Sequence, residues 1–241
     1  MPPMRIVVCG AAGRMGRRIC ELARADRRFA VAAGVDSGDA ARAAPGAAPL
    51  LTESQLDKAM PDVDALVDFS SAAASVRYAA LAARTRTPIV VGTTGRDPAQ
   101  EKALRAFGRE TPLFVAANFS PGMTLLLHLS RLAAKALPLW DPAILEVHHA
   151  GKKDAPSGTA LRLAESVEAG GGRAPSIASQ RAGDIVGEHA LLLAGPDERL
   201  ELAHRAHSRD VFARGALEAA LWLRGRPAGV YGMSELLGLP G

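Results

Sequence analysis

Met4-Arg-Ile-Val-Val-Cys-Gly-Ala-Ala-Gly-Arg-Met-Gly16 begins with a short apolar run that stops at a glycine. The β-branched residues within Met4–Cys9 predict a strand covered on both faces, as in a parallel sheet. Gly10, Gly13 and Gly16 lead into an amphipathic pattern that predicts a helix over residues 14–24. In such a turn Gly10 permits the sharp bend, Gly13 lets backbone approach a pyrophosphate, and Gly16 lets helix pack on strand. The helix N-terminus offers unbonded N–H groups and the positive end of a dipole to an anion. Phe29–Val35 forms a second apolar run and ends at Asp36, 20 residues beyond Gly16. A carboxylate there accepts hydrogen bonds from ribose hydroxyls. The order strand, glycine turn, helix, strand, acid predicts a dinucleotide-binding unit. Asp36 favours NADH, while Arg14 in the glycine loop is placed to meet the 2′-phosphate of NADPH.

The alternation continues outward from this unit. Strands are predicted at 65–69, 88–91 and 113–117, with helices from a Ser70-Ser71 cap to 84 and over 98–109. Residues 39–49 are, apart from Asp39 and Arg42, alanine, glycine and proline and predict a surface loop. Ligands of a doubly wound sheet bind beyond the carboxyl ends of its strands. Gly92, Thr93 and Thr94, and Ala116, Ala117, Asn118 and Phe119, fall at such ends and are expected to face the nicotinamide half of a cofactor.

The second half changes character. A helix over 123–137, a strand over 143–148 and a helix after Thr159 precede three strands without intervening helices, at 177–181, 189–193 and 200–207. Strands in succession imply an antiparallel or mixed sheet. Helices at 212–223 and 232–237 close the chain. The expected fold is α/β, a Rossmann-type doubly wound parallel sheet with a second α+β domain on a mixed sheet. Residues 1–119 would form the dinucleotide-binding domain, with 210–241 returning to it, and 120–209 the second domain. Gly122 and the run Gly170-Gly-Gly172 are candidate hinges for closure.

Composition narrows the function. The pI is near 9.4, but a net charge of +4 and 4% aromatic residues do not suggest a nucleic-acid surface; the arginines spread along helices instead. No apolar run approaches the roughly 20 residues of a membrane span. Cys9 and Cys20 fall in a strand and a helix and predict buried thiols of a cytoplasmic protein rather than a disulfide.

The chemistry gathers in Glu146-Val-His-His-Ala-Gly-Lys-Lys-Asp-Ala-Pro-Ser-Gly-Thr159. The chain has only five lysines, and Lys152 and Lys153 are two of them, placed beside His148 and His149. Imidazole titrates near neutrality, and an ammonium beside another cation gives up its proton more readily. Ser157, Gly158 and Thr159 open a helix, so their hydroxyls and N–H groups suit a carboxylate. The set predicts proton transfer to an anionic substrate that accepts a hydride. Two adjacent histidines with distant carboxylates lack the spacing of a metal site, so no metal is expected. Isolated His128, His189, His204 and His207 are read as structural.

These motifs together resemble the 4-hydroxy-tetrahydrodipicolinate reductase family, also called dihydrodipicolinate reductase, of lysine and diaminopimelate synthesis. The resemblance rests on Gly10–Gly16, on Gly92-Thr-Thr-Gly95 and on Ala116-Ala-Asn-Phe-Ser120. It extends through the histidine-lysine stretch to Arg181-Ala-Gly-Asp-Ile-Val-Gly-Glu-His189 and Ala220-Leu-Trp-Leu-Arg-Gly-Arg226. It implies a homotetramer assembled through the second domain, and hydride transfer from NAD(P)H to a cyclic dicarboxylate with loss of water. His148 and Lys152 would transfer protons; His149, Ser157, Gly158 and Thr159 would hold substrate carboxylates. Gly10, Ala11, Ala12, Gly13, Arg14, Met15, Asp36, Gly92 to Thr94 and Ala116 to Phe119 would line the cofactor. Many members carry arginine directly after the ribose acid, where this chain has Ser37, which again favours NADH over NADPH. Two other readings compete: a dinucleotide-sensing protein without catalysis, and a dehydrogenase of another small imino or amino dicarboxylate.

Overall fold

The computed structural model describes residues 2–36 and 50–240. Ser37 and the loop expected at 39–49 lie outside the described residues. Contacts divide the chain into one unit of Met1–Phe119 with Phe212–Gly241, and another of Ser120–Val211.

In chain order the first unit contains β1 (Met4–Cys9), α1 (Arg14–Ala25), β2 (Phe29–Val35), β3 (Leu50–Leu51), α2 (Glu53–Ala59) and β4 (Ala65–Asp68). It continues with α3 (Ala72–Thr85), β5 (Ile89–Val91), α4 (Pro98–Ala106) and β6 (Pro112–Val115). The second unit holds α5 (Pro121–Ala136), β7 (Asp141–His148), α6 (Gly158–Ala169), β8 (Ser176–Arg181), β9 (Glu188–Ala194) and β10 (Arg199–Arg205). The chain then returns through α7 (Asp210–Leu223), β11 (Gly229–Tyr231) and α8 (Met233–Leu236).

The first sheet has the order β11-β6-β5-β4-β1-β2-β3, and all its pairings are parallel. From β1 the chain winds outward in one direction and then, from β4, in the other. The crevice at that switch point lies above the carboxyl ends of β1 and β4. Helices cover both faces, so Ile6, Val7, Val8, Leu66 and Val67 are wholly buried and the strands read as continuous apolar runs. Short β3, α2 and β11 were not expected from the sequence. The two residues of β3 and three of β11 carry too little periodicity, and these strands exist through pairing with β2 and β6. The helix expected to reach residue 109 ends at Ala106 and tightens into a 3-10 turn over Phe107–Arg109. There Gly108 lies against Val230, where an added Cβ would stand 2.4 Å from a side-chain carbon. The strand expected to reach residue 117 ends at Val115.

The second sheet has the order β10-β9-β7-β8. β7 runs parallel to β8, joined to it through α6, and antiparallel to β9, so the sheet is mixed. One face carries Ile144, Leu191 and Leu193 and packs on Met123, Leu126 and Ala134 of α5 and Ala160, Leu163 and Val167 of α6. Leu145, Val147 and Leu192 alternate to the opposite face and are half-buried. Gly170 and Gly172 close α6 against α5: a Cβ on Gly170 would stand 2.3 Å from the Arg131 carbonyl oxygen. The chain passes between the units at 119/120 and 211/212, so the glycine run expected as a hinge is an internal packing element of the second unit.

Candidate active site

The glycine turn is built as a cradle. Gly10 has φ of 77°, and a Cβ on it would stand 2.4 Å from the Phe69 carbonyl oxygen. A Cβ on Gly16 would lie 2.1 Å from the Gly10 carbonyl oxygen, so α1 starts directly on the turn. Gly13, exposed, is the N-cap of α1 and offers no side chain to it, and the first turn carries no acid. That leaves the N-terminal amides, with about half a positive charge from the dipole, to an anion. Ala11 is buried; Arg14 is exposed and Met15 half-buried. Asp36 follows β2, and its Oδ2 accepts from the Ala12 N–H at 2.7 Å, which fixes the carboxylate beside the turn. These residues fit a dinucleotide: three glycines keep Cβ atoms out of the cradle, and a held acid stands at its end.

The two other expected loops meet this turn through a residue to which the sequence reading gave no role. Phe69 follows β4; its carbonyl lies under Gly10, and its ring covers Gly92, where a Cβ would stand 2.2 Å from it. The Phe69 ring also lies 5.5 Å from the Phe119 ring, centroid to centroid. Thr94 and Ala117 are exposed, and Gly92, Ala116 and Asn118 half-buried, whereas Thr93 and Phe119 are buried. Phe69 therefore joins Gly10, Gly92 and Phe119. The strand expected over 65–69 includes Phe69, but β4 ends at Asp68 and leaves Phe69 in the loop.

In the second unit the histidine-lysine stretch is organised by Glu146, which is completely buried on β7. Its Oε2 accepts from His148 Nδ1, two residues on and on the same face of the strand. Its Oε1 accepts from Arg181 Nη2 at 2.8 Å and from the Ser157 N–H at 3.3 Å. Arg181 also donates to the Asp154 and Gln180 carbonyl oxygens, each at 2.6 Å, and so straps the loop of residues 152–157 to the sheet. Burial alone would raise the Glu146 pKa. Hydrogen bonds from Arg181, Ser179 and His148 outweigh it and bring the value to about 2, so the carboxylate is ionised.

His189 stands opposite Glu146 in the β7–β9 ladder, and its ring meets His148 edge-on with centroids 5.1 Å apart. Burial first, then the His148 charge, lowers the His189 pKa to about 4, so this ring is neutral at physiological pH. Its Nε2 shares a hydrogen bond with Ser157 Oγ at 3.3 Å, and its buried Nδ1 has no partner among the described residues. His189 was read as structural from its isolation in sequence; pairing of β9 with β7 brings it against His148. Burial also lowers the His148 pKa, partly offset by Glu146. Because the carboxylate only accepts, His148 carries hydrogen on Nδ1 and directs Nε2 away from Glu146. A Cβ on Gly187 would stand 3.0 Å from that Nε2. Glu146, His148 and His189 each bring one potential ligand atom within 4.8 Å of the others. Both Glu146 oxygens already hold donors, and one of them fixes the orientation of the His148 ring.

Ser157 is buried and caps α6, its Oγ accepting from the Ala160 N–H at 3.1 Å. Its hydroxyl is thus engaged by α6 and His189, which leaves the anion-binding capacity of the turn to exposed Gly158 and to the helix dipole; the first turn of α6 carries no acid. Lys152 Nζ donates to both Asp154 carboxylate oxygens at 2.8 Å. His149, half-buried, follows the strand and lies over Gly151.

Comparison with known proteins decides the family. The model described as dihydrodipicolinate reductase, N-terminus, matches residues 4–119, and that described as dihydrodipicolinate reductase, C-terminus, matches residues 122–237. The chain belongs to the dihydrodipicolinate reductase family. It is 44% identical over 234 residues to the 4-hydroxy-tetrahydrodipicolinate reductase of Xanthomonas euvesicatoria pv. vesicatoria (strain 85-10), covering 97% of this chain and 98% of that one. The Aquifex aeolicus (strain VF5) protein of the same name is 39% identical over 263 residues, covering 98% and 99%. Among solved structures, dipicolinate-bound dihydrodipicolinate reductase from Paenisporosarcina sp. TG-14 superposes with a TM-score of 0.83 at 22% identity, over 97% and 99% of the two chains. C. glutamicum DAP dehydrogenase, in complex with DAP, shares the fold at a TM-score of 0.59 and 13% identity, over 100% and 97%. As a dihydrodipicolinate reductase family member, the chain is an oxidoreductase of a family that uses a nicotinamide dinucleotide.

Proposed function

We propose that this chain reduces 4-hydroxy-tetrahydrodipicolinate to tetrahydrodipicolinate, with NADH as the preferred reductant, and that His148 and Lys152 move the protons. Family membership supports the reaction; the observation that carries the residue roles is the Glu146–His148–Arg181 network. The bound nicotinamide supplies the hydride. Loss of the substrate hydroxyl as water requires a proton on that oxygen, and this chain has to deliver it. Glu146 holds His148 on its Nδ1 side, so Nε2 is the atom that carries and releases the proton. A dianionic substrate beside the ring favours the imidazolium, so the proton arrives together with the substrate. Lys152 is held by Asp154 and is the second donor. His149 and the Ser157, Gly158 and Thr159 turn receive the substrate carboxylates, chiefly through the N-terminus of α6. A protein that only senses dinucleotide has no use for a buried network of this kind.

On the cofactor side, Gly10, Ala11, Ala12, Gly13, Arg14 and Met15 receive the pyrophosphate. Asp36 holds the ribose hydroxyls, and Gly92, Thr93, Thr94, Ala116, Ala117, Asn118 and Phe119 line the nicotinamide end. A fixed carboxylate at Asp36 repels a 2′-phosphate, which supports NADH; exposed Arg14 leaves NADPH as the slower alternative. The half-buried face of Leu145, Val147 and Leu192 supports assembly through the second sheet as a homotetramer. Cys9 and Cys20, both buried and not joined in a disulfide, suit a cytoplasmic protein. Following absorbance at 340 nm with freshly generated substrate, and NADH or NADPH in parallel, tests the reading. Rapid oxidation with an NADH excess supports it; cofactor binding without oxidation by either sinks it.

A further inference from the structure

One buried acid remains outside the chemistry described above. Asp68 is the last residue of β4, completely buried, between Cys9 on β1 and Val91 on β5. Its Oδ1 accepts from the Ser70 N–H at 3.1 Å and from the Ser70 hydroxyl. Its Oδ2 accepts from the Ser75 hydroxyl on α3 and from the Thr93 hydroxyl at 3.0 Å. Thr93 Oγ1 in turn accepts from the Ser70 N–H at 2.8 Å. The Thr93 carbonyl oxygen accepts from Arg96.

Two consequences follow from this geometry. The Thr93 hydroxyl is engaged on both sides, as donor to Asp68 and acceptor from Ser70, so its oxygen serves the protein rather than a ligand. Phe69, which joins Gly10, Gly92 and Phe119, is the one residue between Asp68 and Ser70: one neighbour carries the carboxylate and the other donates to it through both its N–H and its hydroxyl. Burial raises the Asp68 pKa, opposed by hydrogen bonds from Ser70, Ser75 and Thr93. A buried carboxyl is costly to maintain without a role, and a leucine or valine here would extend the apolar strand at no such cost.

We infer that Asp68 is a positioning residue for the cofactor: it gathers the Ser70 and Thr93 hydroxyls, and thereby fixes Phe69 and the Gly92 to Thr94 loop in the shape that accepts the nicotinamide end. This rests on the cofactor reading proposed above. Thr93 then acts on the cofactor through the course of its backbone and not through its hydroxyl. The Ser75 bond serves a different purpose, since it ties the carboxylate to α3 and touches neither loop.

Direct titration of the protein with NADH, followed by nicotinamide fluorescence without substrate, separates these roles. Asp68→Asn and Thr93→Val are expected to weaken NADH binding about tenfold, the scale of one lost hydrogen bond at a buried group. KM for NADH should rise in step, with kcat at saturating NADH reduced far less. Ser75→Ala should lower the melting temperature yet bind NADH as the parent does. Should Asp68→Asn fail to fold, Thr93→Val alone carries the test. Parent-like binding by Thr93→Val, or equal weakening by Ser75→Ala, overturns the inference. A parent protein that binds no NADH overturns the cofactor reading and this inference with it.

Discussion

Arg181 stands beside His148 in the parallel ladder of β7 and β8, yet its guanidinium passes to Glu146 and donates to Oε1 at 2.8 Å. The same carboxylate receives His148 through its other oxygen. One buried anion thus holds the His148 ring, the strap across residues 152–157, and the N-cap of α6. Neither oxygen is left without a donor, which is the condition for burying a charge without heavy cost.

Glu146→Gln should lower kcat roughly tenfold to a hundredfold, the range expected when a proton-transfer residue loses its orientation. Glu146 raises the His148 pKa by hydrogen bond and by charge, against the dominant effect of burial. A neutral amide removes that support, so the His148 pKa falls further. If His148 acts as an acid, the alkaline limb of the kcat/KM profile therefore moves to lower pH. An unmoved limb would mean that Glu146 serves only the fold.

His148→Gln and Lys152→Met should each reduce turnover about a hundredfold or more, with NADH binding preserved. Steady-state assays paired with NADH titration measure both. Near-normal turnover in either variant removes that residue from the mechanism.

Gly187→Ala places a methyl group 3.0 Å from His148 Nε2, so the ring has to yield by a few tenths of an ångström. Turnover should fall roughly tenfold, as expected for a reacting group moved out of line. The melting temperature should change little. A fully active variant would show that Nε2 is not the reacting atom.

Stability should fall on acidification in a window set by His189. Its folded pKa, about 4, lies below the usual imidazole value near 6.5. Between these values the unfolded chain takes up a proton that the folded one refuses. The contribution is therefore complete above about pH 6.5 and is lost progressively as pH falls toward 4. Glu146, with a folded pKa of about 2, adds a loss of the same sign at lower pH. Melting temperatures measured from pH 7 to 4 should decline, and His189→Gln should flatten the decline. An equal slope in parent and variant would refute the assignment.

Gly16→Ala should cost about 1–3 kcal/mol, the range for forcing a methyl into packed backbone, because its Cβ would stand 2.1 Å from the Gly10 carbonyl oxygen. NADH affinity should fall with stability, since the same displacement opens the cradle. Chemical denaturation and NADH titration of one preparation provide both readings.

Much of the first unit was legible because its signals are local. A β-branched run, glycines in a tight turn and an acid after the next strand lie within 33 residues, from Met4 to Asp36. Parallel strands buried on both faces need apolar runs, and β1 apart from Arg5, β2, and β4 as far as Asp68 show them. Short strands escaped because Leu50–Leu51 and Gly229–Tyr231 owe their state to partners distant in sequence.

Sequence alone determined the strand-turn-helix cradle, the alternation of a doubly wound sheet and the change to a mixed sheet, and it singled out the His148-to-Thr159 stretch as the candidate site. These follow from periodicity and from backbone demands that only glycine or a capping residue meets. Tertiary structure decided which distant groups complete each constellation. Arg181 and His189 lie 33 and 41 positions after His148, and reach it only because β7 is an interior strand paired with β8 on one side and β9 on the other. Asp68 and Thr93 meet only because β4 and β5 end side by side. Hydrogen bonds and burial depend on distance in space, and pairing across a sheet sets that distance without leaving a local mark in the chain.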